Sequence, residues 1–272
     1  EICSPFEHAI NLVCFFRHAT SRMKIGIYAG TIPPPVFINN LVNGLADKGD
    51  TIFIYGKIID KNYQIHNSNI IQKRIPSTKI GIILYIIYAL IRLVISQPFL
   101  YISLVKIVRQ NSSSWGHFFY RCCNILPPFL DKLDIFHVQW AKILVEYPEI
   151  IKMINCSVVL SLRGTHINSS PLSDNNLAKG YKKYFPMVTI FHAVSNAIKS
   201  EAVKYGADTN KITIIYPAIN QKLINDIPII NNPNEIIQII SVGRCHWKKG
   251  YTFALDAMAK LKKEHAHFHY TI

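Results

Sequence analysis

The feature that most constrains this chain is a series of short apolar runs separated by stretches with helical spacing. Lys24–Ala29, Thr51–Tyr55, Asp134–Val138, Ser157–Leu162, Thr189–Val194 and Lys211–Ile215 read as strands. Between the first two, Phe37, Leu41, Leu45 and Ala46 fall on one side of a helix that Gly49 stops. Helical spacing returns at Ala141–Ile154 and Asn196–Tyr205, the latter with Ser195 as N-cap and Gly206 as stop. Strands that alternate with helices imply a mostly parallel sheet and a doubly wound α/β domain.

Two other segments bear on the organisation. Ile80–Val108 is long and apolar, and one transmembrane helix of about 20 residues is conceivable there. Arg92 and the Gln97-Pro98 break argue instead for two helices, packed on the domain or lying at a membrane interface. Residues 1–22 carry neither a basic n-region nor a clean cleavage site, whereas Met23-Lys-Ile-Gly-Ile reads as a start that opens on a buried strand. Residues 1–22 are therefore expected to be a non-native or disordered extension. The first domain is expected over residues 23–219 and a polar, proline-containing linker over 220–234. Residues 235–272 hold a further strand, loop, helix and strand, Ile236–Val242, Gly243–Lys249, Tyr251–Glu264 and Phe268–Ile272. A parallel sheet needs more partners than two, so this second domain is expected to be cut short.

Composition narrows the partners. Lys and Arg number 30 against 16 Asp and Glu, a net charge of +14 that suits an anionic ligand, membrane surface or nucleic acid. Biased base composition would give the same excess in so Ile-, Asn- and Lys-rich a chain. No specific nucleic-acid partner is expected, because that reading rests on charge alone. The six cysteines form no C-x-x-C pair, which points to reduced thiols in a cytosolic protein.

One loop carries recognisable chemistry. In Ser241-Val-Gly-Arg-Cys-His-Trp-Lys-Lys-Gly250 a strand ends at Gly243 and a helix begins near Gly250, the kind of turn at which backbone N–H groups and the helix dipole face a phosphate. Arg244 and Lys249 add cations that would stabilise a departing diphosphate. By spacing alone, an ordinary basic loop on a basic protein is the favoured reading. His265, His267 and His269 alternate; a surface turn explains them more simply than a metal site. Trp115–Arg121 mixes aromatic and basic residues, as single-strand nucleic-acid binders do, although helix packing explains it too.

The V-G-R-x-x-x-x-K-G pattern resembles the donor-phosphate loop of family 4 glycosyltransferases. His192-Ala-Val-Ser195, Glu201-Ala202, Gly206-Ala207, Lys211-Ile212 and Ile215-Tyr-Pro-Ala218 resemble, in order and spacing, the end of that family's acceptor domain. Asp134-Ile-Phe-His137 and Leu162-Arg-Gly-Thr165 extend the likeness toward Met23. The resemblance implies a GT-B fold, with a complete N-terminal Rossmann-like domain and the first β-α-β unit of a second. It implies transfer of a sugar from a nucleotide-sugar donor, as substrate rather than cofactor, with retention of configuration. The acceptor would be lipid-linked or a polysaccharide.

By the same resemblance Arg163 is the catalytic candidate, and Gly243, Arg244, Lys249 and Gly250 would hold the donor diphosphate. Gly30, Thr31, His137, His166 and Ser195 are candidates to line the cleft. The chain departs from the family in two places: three prolines interrupt the first loop, Gly30–Phe37, and His166 stands where an aspartate is common. No metal is expected, since the sequence contains no D-x-D. The basic charge and the apolar helices imply peripheral attachment at the inner face of the membrane. The family's paired-glutamate motif does not occur within these residues, so the chain alone is expected to be inactive. A catalytically empty fragment or a membrane- or acceptor-binding homologue is the alternative reading.

Overall fold

The computed structural model describes residues 22–65, 67–76, 78–217, 236–264 and 267–272. Backbone contacts divide the chain into two units, Glu1–Ala218 and Ile219–Ile272.

The first unit is built on seven strands: β1 (Lys24–Ile32), β2 (Thr51–Ile58), β3 (Ile70–Ile75), β4 (Ile135–Val138), β5 (Ser157–Leu162), β6 (Ile190–Ala193) and β7 (Ile212–Ile214). They lie in the order β3-β2-β1-β4-β5-β6-β7, every neighbouring pair parallel. This is the doubly wound α/β arrangement, its strand order reversing between β1 and β4. The strands are apolar on both parities because both faces are covered. Ile25, Ile27 and Ala29 of β1 pack with Ile52, Ile54, Ile135 and Val159 beneath α1 (Val36–Asp47), which contributes Ile38, Val42 and Leu45. Tyr28, Phe53, Tyr55, Phe136 and Leu160 face the opposite core. Burying each such aliphatic side chain contributes about 1.5–3 kcal/mol.

That opposite core is roofed by α2 (Lys79–Ser96), α3 (Pro98–Gln110) and α4 (Trp115–Leu130). The long apolar segment is thus two helices, divided at Gln97, with Pro98 in the first turn of α3, where a missing N–H does no harm. The aromatic and basic Trp115–Arg121 run opens α4, and Phe118, Arg121, Cys122 and Cys123 are buried there. A bidentate ion pair ties this roof down: Arg121 Nη2 donates to both carboxylate oxygens of Glu149 at 2.8 Å, and Arg121 Nη1 donates to the Glu146 carbonyl at 2.9 Å. Asn111 Nδ2 adds a 2.6 Å bond to Glu149 Oε1.

Three features differ from the sequence reading. Ala141–Ile154 is not one helix but two short ones, α5 (Lys142–Glu146) and α6 (Pro148–Met153), because Pro148 cannot continue the α5 hydrogen-bond ladder. Strand β3 and the helices α7 (Thr165–Asn168), α8 (Ser170–Ser173) and α9 (Asn175–Tyr184) went unread, being short or polar. β1 and β2 each run three residues beyond the expected Ala29 and Tyr55. The extra length passes a bulge at Ala29, where the register moves from Tyr28↔Tyr55 to Gly30↔Gly56. Gly56 is required there, since a Cβ would lie 2.8 Å from the Thr31 nitrogen and 2.9 Å from its carbonyl carbon.

Helix α10 (Asn196–Lys204) follows β6. The second unit comprises parallel strands β8 (Ile237–Ile240) and β9 (Phe268–Thr271) joined through α11 (Tyr251–Lys263). Among its described residues none is buried, and Ile237, Ile240, Phe253 and Leu255 are exposed. The expected linker 220–234 and the extension 1–21 lie outside the described residues.

Candidate functional site

In an open parallel sheet, ligands bind beyond the carboxyl ends of the strands at the point where the strand order reverses. Gly30 and Thr31 lie near the end of β1, His137 lies in β4, Arg163 directly follows β5, and Ser195 comes two residues after β6. The fold therefore gathers the first unit's predicted residues on one edge. Trp140 stitches the reversal point, its Nε1 donating to the Ala29 carbonyl at 3.3 Å.

Arg163 occupies the middle of this edge. Its Nη2 donates to Gln139 Oε1 at 3.3 Å and to Ser161 Oγ at 3.5 Å. Its guanidinium carbon lies 4.5 Å from the centre of the Phe37 ring, a cation–π contact. Burial lowers its pKa to about 10, so it stays charged at neutral pH. Nε of Arg163, Nε2 of Gln139 and Nδ1 of His166 are buried without a hydrogen-bond partner. Gln139 is wholly enclosed.

Beneath Arg163 runs a buried chain of polar side chains that the sequence reading missed. His137 Nε2 lies 2.9 Å from Ser161 Oγ, Ser161 Oγ lies 3.0 Å from His192 Nδ1, and His192 Nε2 lies 3.1 Å from the Ile215 carbonyl. The bonds define one another's direction. A carbonyl only accepts, so His192 Nε2 carries a proton. Burial, reinforced by Arg163, holds the His192 pKa at about 4, so at neutral pH its Nδ1 is a bare acceptor. The Ser161 hydroxyl must then donate to His192 and accept from His137 Nε2–H and Arg163. His137 is likewise neutral, its pKa pushed well down by burial and by the nearby His192 and Arg163. The readable signal was a lone polar residue inside each apolar strand: His137 in β4, Ser161 in β5, His192 in β6.

The remaining candidates have more defined roles. His166 sits on α7 with its ring 5.5 Å from that of Trp140, and burial together with Lys142 lowers its pKa. Thr31 Oγ1 donates to the Pro33 carbonyl at 3.2 Å, inside the proline-rich loop. Ser195 caps α10, its hydroxyl accepting from the Ile198 N–H at 3.3 Å, so its side chain is engaged in local structure. A groove of about 640 Å³ lined by Asn39, Asn43, Tyr63, Gln64 and Asn67 flanks α1 and offers mostly amide and hydroxyl groups.

The second unit holds the other candidates. Gly243, Arg244 and Lys249 are exposed in the loop between β8 and α11, whose last residues, Trp247–Lys249, form a single 3-10 turn. Gly250 takes the left-handed conformation at φ 67° and opens α11, leaving that helix's first N–H groups without a side-chain cap. A Cβ on Gly243 would lie 2.7 Å from the Tyr251 hydroxyl, so the loop folds closely on the first turn of the helix. Among the described residues no three His, Cys, Asp or Glu side chains form a metal-binding group; His267 and His269 are exposed, and His265 lies outside those residues.

No protein-family model matches the chain, and no curated protein matches it in sequence. Its fold is shared with solved structures of low identity. Sucrose-phosphate synthase from Thermosynechococcus elongatus is similar with a TM-score of 0.54 at 14% identity, over 88% of this chain and 60% of the other. A glycosyltransferase from Rickettsia africae ESF-5 is similar with a TM-score of 0.50 at 16% identity, over 92% of this chain and 60% of the other. The architecture is thus α/β of the GT-B type, and the chain spans about 60% of the length of these structures.

Proposed function

We propose that the chain belongs to a glycosyltransferase, supplying the acceptor-side domain and the opening of the nucleotide-sugar side. It would move a sugar from a nucleotide-sugar donor to a hydroxyl of a lipid-linked or polysaccharide acceptor in cell-surface polysaccharide synthesis. Retention of configuration follows the family resemblance. The observation that carries the reading is Arg163: a charged, half-buried guanidinium with no counter-ion among the described residues, at the ligand-binding edge of a parallel sheet, with its Nε–H unpartnered. A desolvated cation preorganised in this way stabilises negative charge as it develops.

Departure of the nucleoside diphosphate places negative charge on its phosphate oxygens. Arg244, Lys249 and the uncapped N–H groups at the start of α11 would take up that charge, the work a bound metal does in other sugar transferases. Transfer and hydrolysis of radiolabelled nucleotide sugars, assayed with the protein carrying whatever its coding sequence adds downstream, test this. Arg244→Ala and Lys249→Ala are each expected to lower turnover roughly 100-fold. Unchanged turnover in both variants would overturn the assignment of the diphosphate loop. Binding of nucleotide sugar with no turnover by the unaltered protein would favour the catalytically empty homologue.

A further inference from the structure

Helix α2 has two apolar faces. One seats Ile86, Ala89 and Leu93 in the core. The other carries Ile80, Leu84, Ile87, Ile91 and Ile95, spaced at helical intervals along the whole helix, and these are 50–78% exposed. Phe99, 86% exposed, continues the stripe onto α3. Single apolar residues on a surface are ordinary, but a continuous aliphatic stripe marks a contact surface.

Charge identifies what the stripe contacts. No Asp or Glu occurs between Asp60 and Asp131. Over the same two helices Lys79, Arg92, Lys106 and Arg109 are exposed. Arg92 flanks the stripe: its Nη1 donates to the Tyr88 hydroxyl at 3.2 Å and its guanidinium carbon is 5.9 Å from that ring's centre. Long basic side chains that lay their stems on apolar surface and hold the charge at its rim match the boundary between acyl chains and anionic headgroups. By length and composition α2 is able to cross a membrane. Its inner face, however, is fixed in the core of the first unit, and α2 packs on α4. The exposed stripe runs the length of the helix, which suits a helix lying in the membrane plane.

We propose that the outer face of α2 and the start of α3 form a docking surface for an anionic lipid bilayer, seated in plane at the headgroup boundary. No residue of the sugar-transfer site takes part, so this inference stands or falls separately from that reading. Flotation of the 272-residue chain with two kinds of vesicle tests it: phosphatidylcholine alone, and phosphatidylcholine with about 30% phosphatidylglycerol. The wild type is expected to bind the anionic vesicles at least about tenfold more tightly, with binding weakened by salt. The variant Leu84→Ser/Ile87→Ser/Ile91→Ser, altered only at exposed positions and checked for an unchanged far-UV spectrum, is expected to lose at least about tenfold. Lys79→Gln/Arg92→Gln/Lys106→Gln is expected to lose the preference for anionic lipid. The proposal is overturned if the wild type fails to float. It is equally overturned if the serine variant binds as well as the wild type, or if sedimentation shows the stripe holding two copies of the chain together without vesicle binding.

Discussion

Replacing His192 with Gln should flatten the dependence of stability on pH in mildly acid solution. The imidazole is buried between Ser161 and the Ile215 carbonyl, and its pKa stands at about 4 against an ordinary 6.5. A depressed value means that the unfolded chain binds a proton that the folded chain refuses. The stabilisation is therefore complete above pH 6.5. It declines as pH falls below 6.5 and is spent by about pH 4, at about 1.4 kcal/mol per pH unit, or about 3 kcal/mol in all. At pH 5 the wild type should have lost about 2 kcal/mol from this residue relative to pH 7. Gln can still donate toward Ile215 and accept from Ser161, yet it does not titrate. Urea unfolding followed by far-UV circular dichroism at pH 7 and pH 5 gives the comparison, because most carboxylates remain ionised at both. The wild type should lose about 2 kcal/mol more between the two conditions than His192→Gln does. His137 acts in the same direction in both proteins, its shift being caused first by burial, which the substitution leaves in place. Equal losses in the two proteins would refute the buried neutral imidazole and, with it, the direction assigned to every bond in the chain.

Two further substitutions probe the frame around the site. Glu149→Gln leaves the buried Arg121 guanidinium without its counter-ion and should cost about 3–5 kcal/mol in urea unfolding, whereas Arg121→Met/Glu149→Leu should restore most of that loss. Gly56→Ala places a methyl against the backbone of Thr31 rather than against a yielding side chain, so β1 and β2 must part; a loss of about 1–3 kcal/mol is expected, read as a lower thermal midpoint.

The strand pattern was legible because parallel strands buried on both faces announce themselves as apolar runs, and β5 came out at its observed bounds, Ser157–Leu162. Arg163 was legible for a related reason: the residue after a buried strand must emerge at the ligand-binding edge. β3 was not legible. Its sequence Ile-Ile-Gln-Lys-Arg-Ile reads as polar because it is an edge strand, where Gln72, Lys73 and Arg74 reach solvent. The polar chain under Arg163 was missed because its members are far apart in sequence and meet only through register. Ser161 pairs directly with His192 across β5 and β6, while His137 reaches Ser161 diagonally from a position opposite Val159. Ser195 shows the converse. Its place after β6 made it both an N-cap and a cleft candidate, and its hydroxyl is committed to the Ile198 N–H.

The electrostatics of this edge have one sign. Burial lowers the pKa of His137, His192 and His166, Arg163 adds to it at the first two and Lys142 at the third, and no carboxylate among the described residues holds the Arg163 charge up against burial. A protein that gained only stability here would have supplied a carboxylate, as it does for Arg121 through Glu149 and for Lys73 through Asp131. Where the fold needs a buried or half-buried cation for architecture, it pairs it. Beyond the end of β5 it leaves the cation unpaired among the described residues, close to the neutral imidazoles of His137 and His192, at a standing cost to stability. A ligand that brought negative charge to the part-exposed Arg163 side chain would offset that cost, whereas Arg163 Nε and Gln139 Nε2 are enclosed.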